Sequence, residues 1–216
     1  MRTYDDKMFI DTFEHEYTWL NGFLRNVFRF SNRTALIDPK TNRSWTYSTL
    51  NIEANRLAHA LQDCSVKKND VIMTALRNSP EFAFSYIAPR KIGAILFAAN
   101  CNLAAGEFAL LINHNKPKIV IYSANIAPVI KEAAELCEWK PKKFIMADNI
   151  EKNLLPKGHI SYEEFVQGKS PENPKINFRP HIYDEVLRLC TSGTTALPKS
   201  VPINDINEVL SAHDVI

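Results

Sequence analysis

The sequence predicts an α/β protein, a largely parallel sheet layered by βαβ units and flanked by helices. Short apolar runs recur at 71–75, 94–99, 118–122 and 143–147, and the segments between them carry helical spacing. Strand and helix therefore alternate, and right-handed crossovers place such strands parallel. The composition agrees. Of 216 residues, 45% are apolar and 23% charged, an ordinary globular balance with enough chain to bury a core.

The elements follow in order. Trp19, Leu20, Phe23, Leu24, Val27 and Phe28 form an apolar stripe at helical spacing, which predicts a core-facing helix. Segments 35–38 and 44–47, joined through 39–43, predict a small hairpin. A helix covers 55–61. After the strand at 71–75, Ser79, Pro80 and Glu81 supply a cap, a first-turn proline and an early acid. That helix runs to Ile92, with Pro89 expected to kink or end it. Strand 94–99, helix 105–113, strand 118–122, helix 126–139 and strand 143–147 come next. From 168 to 180 the chain turns polar, with Pro171, Pro174 and Pro180, and reads as a linker over the surface. Strand 186–190 leads into a hydroxyl-rich loop. A last helix begins at Asp205, where Glu208 completes a capping box. Ile206, Val209 and Leu210 recur on one face, with His213 continuing the spacing. The chain reaches Ile216 without a C-terminal glycine or polar tail, and reads as cut in mid-helix.

Several function classes are set aside. A net charge of +2 makes no case for nucleic acid. The basic run from Lys140 to Lys143 reads as a solvated turn. Cys64, Cys101, Cys137 and Cys190 are scattered without a C-x-x-C pair, which points to free thiols in a reducing compartment, hence the cytoplasm. The N-terminus is mixed and charged, unlike a signal peptide. Arg90 and Lys91 interrupt the longest apolar candidate, so no membrane span is expected. The histidines show no metal-ligand spacing, and no metal site or catalytic residue is assigned. Asp184 and Glu185, neighbours on a strand, point to opposite faces and make a poor acid–base pair. No His or Asp partner can be placed beside Cys190 to make it a nucleophile.

The loop carries the chemistry. Thr191, Ser192, Thr194 and Thr195 supply hydroxyls, Gly193 permits close backbone approach, and Lys199 adds a point charge. Such a loop presents a concave donor surface suited to phosphate. It comes close to a Walker A loop, but Pro198 stands where the second glycine belongs and has no N–H to give. Pro198 and Pro202 also argue against a helix starting at Lys199. On composition alone, a Ser/Thr-rich surface turn that binds nothing remains open.

Residues 191–201 resemble the signature loop of the adenylate-forming superfamily, T-S-G-[ST]-T-G-x-P-K-G-V, which includes acyl-CoA synthetases, luciferases and peptide-synthetase adenylation domains. Thr191, Ser192, Gly193, Thr194, Thr195, Pro198, Lys199 and Val201 match, whereas Ala196 and Ser200 replace glycines. The likeness extends through the chain from about Trp19. Trp45 to Leu50 resembles W-T-Y-x-E-L, and Asn55 to Leu61 resembles N-R-L-A-x-A-L. Residues 66–71 resemble the G-V-x-x-G-D-x-V turn, with both glycines replaced. Asn78 to Phe82, Lys91 to Ala94, and Asn100 with Leu103 and Glu107 also stand where the family has them. Within the superfamily the chain is most similar to fatty-acyl-CoA ligases.

The resemblance implies that residues 1–216 form the N-terminal part of an AMP-binding domain, without the C-terminal lid. It implies a ligase that activates a carboxylate, a fatty acid in the nearest members, with ATP and Mg2+ to acyl-AMP and passes the acyl group to CoA. The partners are then a small carboxylate and a nucleotide. Thr191, Ser192, Gly193, Thr194, Thr195 and Lys199 serve the phosphates, and the fragment alone is inactive. A stand-alone nucleotide-binding or interaction module is the alternative.

Overall fold

A computed structural model of the chain describes residues 5–148, 154–190 and 199–213. Its elements are α1 (Asp6–Glu16), α2 (Trp19–Arg29), β1 (Thr34–Asp38), β2 (Arg43–Thr46), α3 (Tyr47–Asp63), β3 (Val71–Ala75), α4 (Pro80–Lys91) and β4 (Ile95–Ala98). Then follow α5 (Ala105–Asn115), β5 (Ile119–Ser123), α6 (Ala127–Leu136), β6 (Lys143–Ala147), β7 (Ile160–Ser161), α7 (Tyr162–Val166), β8 (Glu185–Cys190), β9 (Ser200–Asn204) and α8 (Asp205–His213). The expected largely parallel sheet is present. Its seven strands run β7-β6-β5-β3-β4-β8-β9, all parallel except the antiparallel pair β8–β9. The β1–β2 hairpin forms a separate two-stranded sheet.

Two apolar layers sandwich the sheet. Ile72, Ile119, Ile121 and Ile145 pack with α2, α3, α4 and α7 on one face. Met73, Phe97, Val120 and Tyr122 pack with α5 and α6 on the other. Because both faces are covered, the central strands are continuous buried runs without alternation. On α3 the buried residues Leu50, Ala54, Leu57, Ala58 and Leu61 recur at helical spacing. Burying each leucine of that stripe contributes roughly 1.5–3 kcal/mol.

The polar face of α3 holds the proline-rich segment. Asn55 Nδ2 donates to Pro171 O at 2.6 Å, His59 Nε2 lies 3.0 Å from Glu172 O, and Gln62 Nε2 donates to Lys175 O at 3.1 Å. Residues 168–180 are therefore a pinned strap rather than a loose linker. At its far end the Phe178 ring lies against Gly93, whose φ is +70° and where a Cβ would come within 2.6 Å of that ring. Only glycine meets both conditions.

Other sequence expectations need correction. Helix α1 was not foreseen; Asp5 caps it, and it has no buried residue. Phe28 leaves the stripe on α2 and is 88% exposed. Helix α4 ends at Lys91, one residue before Ile92 and two after Pro89, whose carbonyl accepts from Ile92 N and Ala94 N. Helix α6 stops at Leu136, short of Trp139. There Asn113 Oδ1 accepts from Glu138 N and Trp139 N, and the Trp139 indole donates to Pro117 O. These tertiary bonds outweigh continued helix. Asp205 and Glu208 form no capping box: Asp205 Oδ1 accepts from Trp19 N at 2.7 Å, and Glu208 turns to Tyr86 and Arg90. Leu210 is 54% exposed, so the apolar face of α8 is narrower than expected.

The two replaced glycines of the turn before β3 keep a glycine-like backbone. Ser65 has φ 58° and Asn69 φ 67°. Asparagine visits the left-handed region readily, but serine does so at a cost of roughly 1 kcal/mol. Replacing Ser65 by Gly relieves that strain but adds freedom to the unfolded chain, which partly offsets the gain. We expect Ser65→Gly to stabilise the fold by about 0.5 kcal/mol in urea unfolding, and a lower stability would show that the strain at Ser65 is smaller than the freedom glycine adds to the unfolded chain.

Lys91 at the end of α4 is only 3% exposed. Its ammonium donates to Asn51 Oδ1 at 2.7 Å and to Asn173 Oδ1 at 2.9 Å, and among the described residues it forms no ion pair. Burial disfavours the charged form and pulls its pKa down to about 8. The unfolded lysine titrates near the ordinary value of about 10.4. Between those values the folded chain releases its proton while the unfolded chain keeps it, so stability rises with pH. We expect a gain of about 1.5 kcal/mol from pH 8 to 9.5, absent in Lys91→Met, when both are unfolded in urea.

Candidate functional site

Strand β8 decides where the hydroxyl-rich loop opens. It pairs parallel with β4, Leu96 with Leu187, Phe97 with Arg188 and Ala98 with Leu189. The chain beyond Cys190 therefore leaves at the same edge as the carboxyl ends of β3, β4, β5 and β6. Strand β9 returns antiparallel, with Ser200 opposite Cys190, so the two stems of the loop are neighbours. The sequence-predicted site residues Thr191, Ser192, Gly193, Thr194 and Thr195 lie outside the described residues. Lys199 is described; it is exposed and directly precedes β9.

The same edge carries a switch point. After β3 the chain enters α4 on one face, and after β4 it enters α5 on the other. Such a divergence opens a crevice beyond the carboxyl ends of the strands, where ligands of α/β sheets bind. A cleft of about 870 Å³ lies there. Its walls include residues 76–80 after β3, 99–102 after β4, and 36–40 from the end of β1 and the turn that follows it. Polar groups on it include Asp38, Arg77, Asn78 and Asn100. Sequence reasoning did not single out Arg77 or the hairpin turn, because only tertiary packing brings them to this edge.

Several motif residues have local structural work here. Ser79 Oγ accepts from Phe82 N at 3.2 Å and starts α4, with Pro80 at the first turn as expected. Asn100 Oδ1 accepts from Asn102 N at 2.9 Å, and Glu107 Oε2 accepts from Ala104 N at 2.8 Å at the start of α5. Burial pushes the Cys190 thiol up, against a weaker opposing effect of the Ser200 hydroxyl, which disfavours the nucleophilic thiolate. Asp184 and Glu185 serve different partners: Asp184 meets Lys68 at 2.8 Å and Glu185 meets Arg188 at 2.7 Å. They do not act as a pair.

Helix α8 anchors the exit of the hairpin. The Arg90 side chain, 1% exposed, pairs with Glu208 at 2.5 Å and also donates to Tyr86 O. Its guanidinium lies 4.0 Å from the Tyr86 ring centre and 5.0 Å from that of Trp19. Tyr86 Oη donates to Glu208 at 2.6 Å, and burial pushes that phenol up to about 12.

A mostly parallel sheet with a switch-point cleft at its carboxyl edge, flanked there by the end of β8 and the start of β9, defines an α/β protein. A family model described as AMP-binding enzyme matches residues 23–215, and the chain belongs to that family. It is 32% identical over 177 residues to 4-coumarate–CoA ligase 1 of Solanum tuberosum, covering 82% of this chain and 30% of the relative. It is also 32% identical over 183 residues to crotonobetaine/carnitine–CoA ligase of Proteus mirabilis, covering 82% of this chain and 35% of the relative. A fatty acyl CoA synthetase of Mycobacterium tuberculosis superposes with a TM-score of 0.72 at 25% identity, over 93% of this chain and 36% of that one. An anthranilate CoA ligase solved with anthranoyl-AMP superposes with a TM-score of 0.82 at 21% identity, over 91% of this chain and 36% of that one, which speaks to the fold alone. The chain thus spans about a third of the length of these relatives.

Proposed function

We propose that this chain supplies the N-terminal part of the adenylation domain of a carboxylate–CoA ligase. In that reaction a carboxylate oxygen attacks the α-phosphate of ATP, pyrophosphate leaves, and the CoA thiol then displaces AMP from the acyl-adenylate. Thr191, Ser192, Thr194 and Thr195 are the donors to the β- and γ-phosphates, Gly193 allows close backbone approach, and Lys199 stabilises the charge on the leaving pyrophosphate. The observation that supports this reading is the parallel β4–β8 register, which hangs both loop stems at the carboxyl edge beside the switch-point cleft. Mg2+ accompanies the nucleotide and neutralises phosphate charge; its ligands are not assigned to this chain. The acid to try first is a fatty acid, as in the mycobacterial neighbour, and an aryl acid second, as in the plant relatives. The four free thiols support a cytoplasmic setting.

We further propose that residues 1–216 do not complete the reaction alone, since they span only about a third of the relatives and alignment of the reacting groups needs the whole site. Purified 1–216 is expected to give no carboxylate-dependent ATP–pyrophosphate exchange. Robust exchange that Lys199→Ala abolishes would overturn this.

In an enzyme rebuilt around this sequence, Lys199→Ala removes a charge-assisted contact worth about 1.5–3 kcal/mol. Adenylation should slow about ten- to a hundredfold. Thioester formation from pre-formed acyl-adenylate should suffer much less, because pyrophosphate has already left. Equal losses in both half-reactions would take the pyrophosphate role away from Lys199.

A further inference from the structure

Both stems of the 191–199 segment converge on one side chain that the proposed chemistry does not use. Asn115 closes α5 and is 4% exposed. Its Nδ2 donates to Leu111 O at 3.1 Å. Its Oδ1 accepts from Arg188 Nη1 at 3.2 Å and from Ser200 Oγ at 3.1 Å. The chemistry settles the amide orientation, because a backbone carbonyl only accepts and a guanidinium only donates.

Arg188 lies on β8 two residues before Cys190, and Ser200 is the first residue of β9. One carbonyl oxygen therefore holds the strand that enters the loop and the strand that leaves it. The Arg188 guanidinium is gripped on its other side by Glu185, with Nε–Oε1 at 2.7 Å and Nη2–Oε2 at 3.1 Å. A fork held at both ends has one orientation. The end of α5 is itself fixed, since Lys116 adopts a left-handed conformation and its N–H bonds Ile112 O.

The hairpin needs such a tie. Among the described residues β9 is the sheet's outer strand, bonded on one side only. Its Pro202 offers no N–H to the ladder, and Val201 is exposed. Lys199 directly precedes Ser200, so the orientation of Ser200 sets the direction in which Lys199 leaves the sheet.

We propose that Asn115 is a positioning residue for the β8–β9 hairpin: its side-chain carbonyl locks the end of β8 to the start of β9. The consequence for phosphate binding rests on the function proposed above; the tie itself does not.

Amide hydrogen exchange on the purified chain tests it, with peptides from β8 and β9 read against peptides from β3 and β5. Ser200→Val and Ser200→Thr have the same shape and strand preference, and only Thr keeps the hydroxyl. We expect Asn115→Ala and Ser200→Val to speed exchange in β8 and β9 about tenfold, while β3 and β5 stay unchanged and Ser200→Thr matches wild type. Equal exchange in the Val and Thr variants, or equal acceleration of all strands by Asn115→Ala, would overturn the proposal. Should Asn115→Ala fail to fold, the Ser200 pair decides alone. Inorganic pyrophosphate in the same samples separates the tie from the phosphate reading. Protection of 191–199 in wild type, with a midpoint weakened about tenfold by Ser200→Val, supports both. No protection in wild type, with the Val–Thr contrast intact, supports the tie and takes pyrophosphate binding away from the isolated chain.

Discussion

The pairing of β8 with β4 is the constraint on which the rest depends. Between these adjacent strands the chain travels out through β5, β6 and β7 and back along the strap. Among the described residues a small apolar cluster holds the junction: Leu96, Val186 and Leu187, with Tyr86, Ala98 and Ile203 packed against them. The long return is therefore pinned at many points. Helix α3 bonds the strap's backbone, Phe178 seats on Gly93, and Lys68 pairs with Asp184 at the foot of β8. Each contact is weak alone, since partly exposed pairs contribute roughly 0–1 kcal/mol. Together they fix the register that sets the end of β8 and the start of β9 at the carboxyl edge.

Neighbouring residues on α4 show two ways to bury a cation. Arg90 meets the Glu208 carboxylate and stacks on two aromatic rings. Lys91 meets two amide oxygens and, among the described residues, no counter-charge. The first fastens α8 to the body with an ion pair that costs desolvation but is specific in geometry. The second accepts a depressed pKa and ties α4 to both α3 and the strap. Both cations serve the same end, since α8 and the strap flank the β8–β9 hairpin in sequence.

Family membership and physical reading meet in the turns. Motif positions that match the family are often caps and turn residues, as with Ser79, Pro80, Asn100 and Glu107. Where this chain departs from the pattern at Ser65 and Asn69, the backbone keeps the positive φ that a glycine would take. The fold imposes the conformation, and the side chain bears the strain.

By itself the sequence determined the layered α/β architecture, the β3 and β6 runs and the Ser79–Pro80 helix start. These are local signals: a buried run of β-formers, a capping hydroxyl and a first-turn proline act within a few residues. Tertiary structure alone decided the rest. The antiparallel return of β9, the early stop of α6, the turning of Asp205 and Glu208 from a cap to distant partners, and the meeting of Arg188 and Ser200 on Asn115 all join groups far apart in the chain. Local pattern cannot encode such contacts, because a polar side chain near a helix start has the same local options whether or not a buried donor waits across the core. That donor exists only after the sheet has closed, and an unmet buried group costs more than a lost cap.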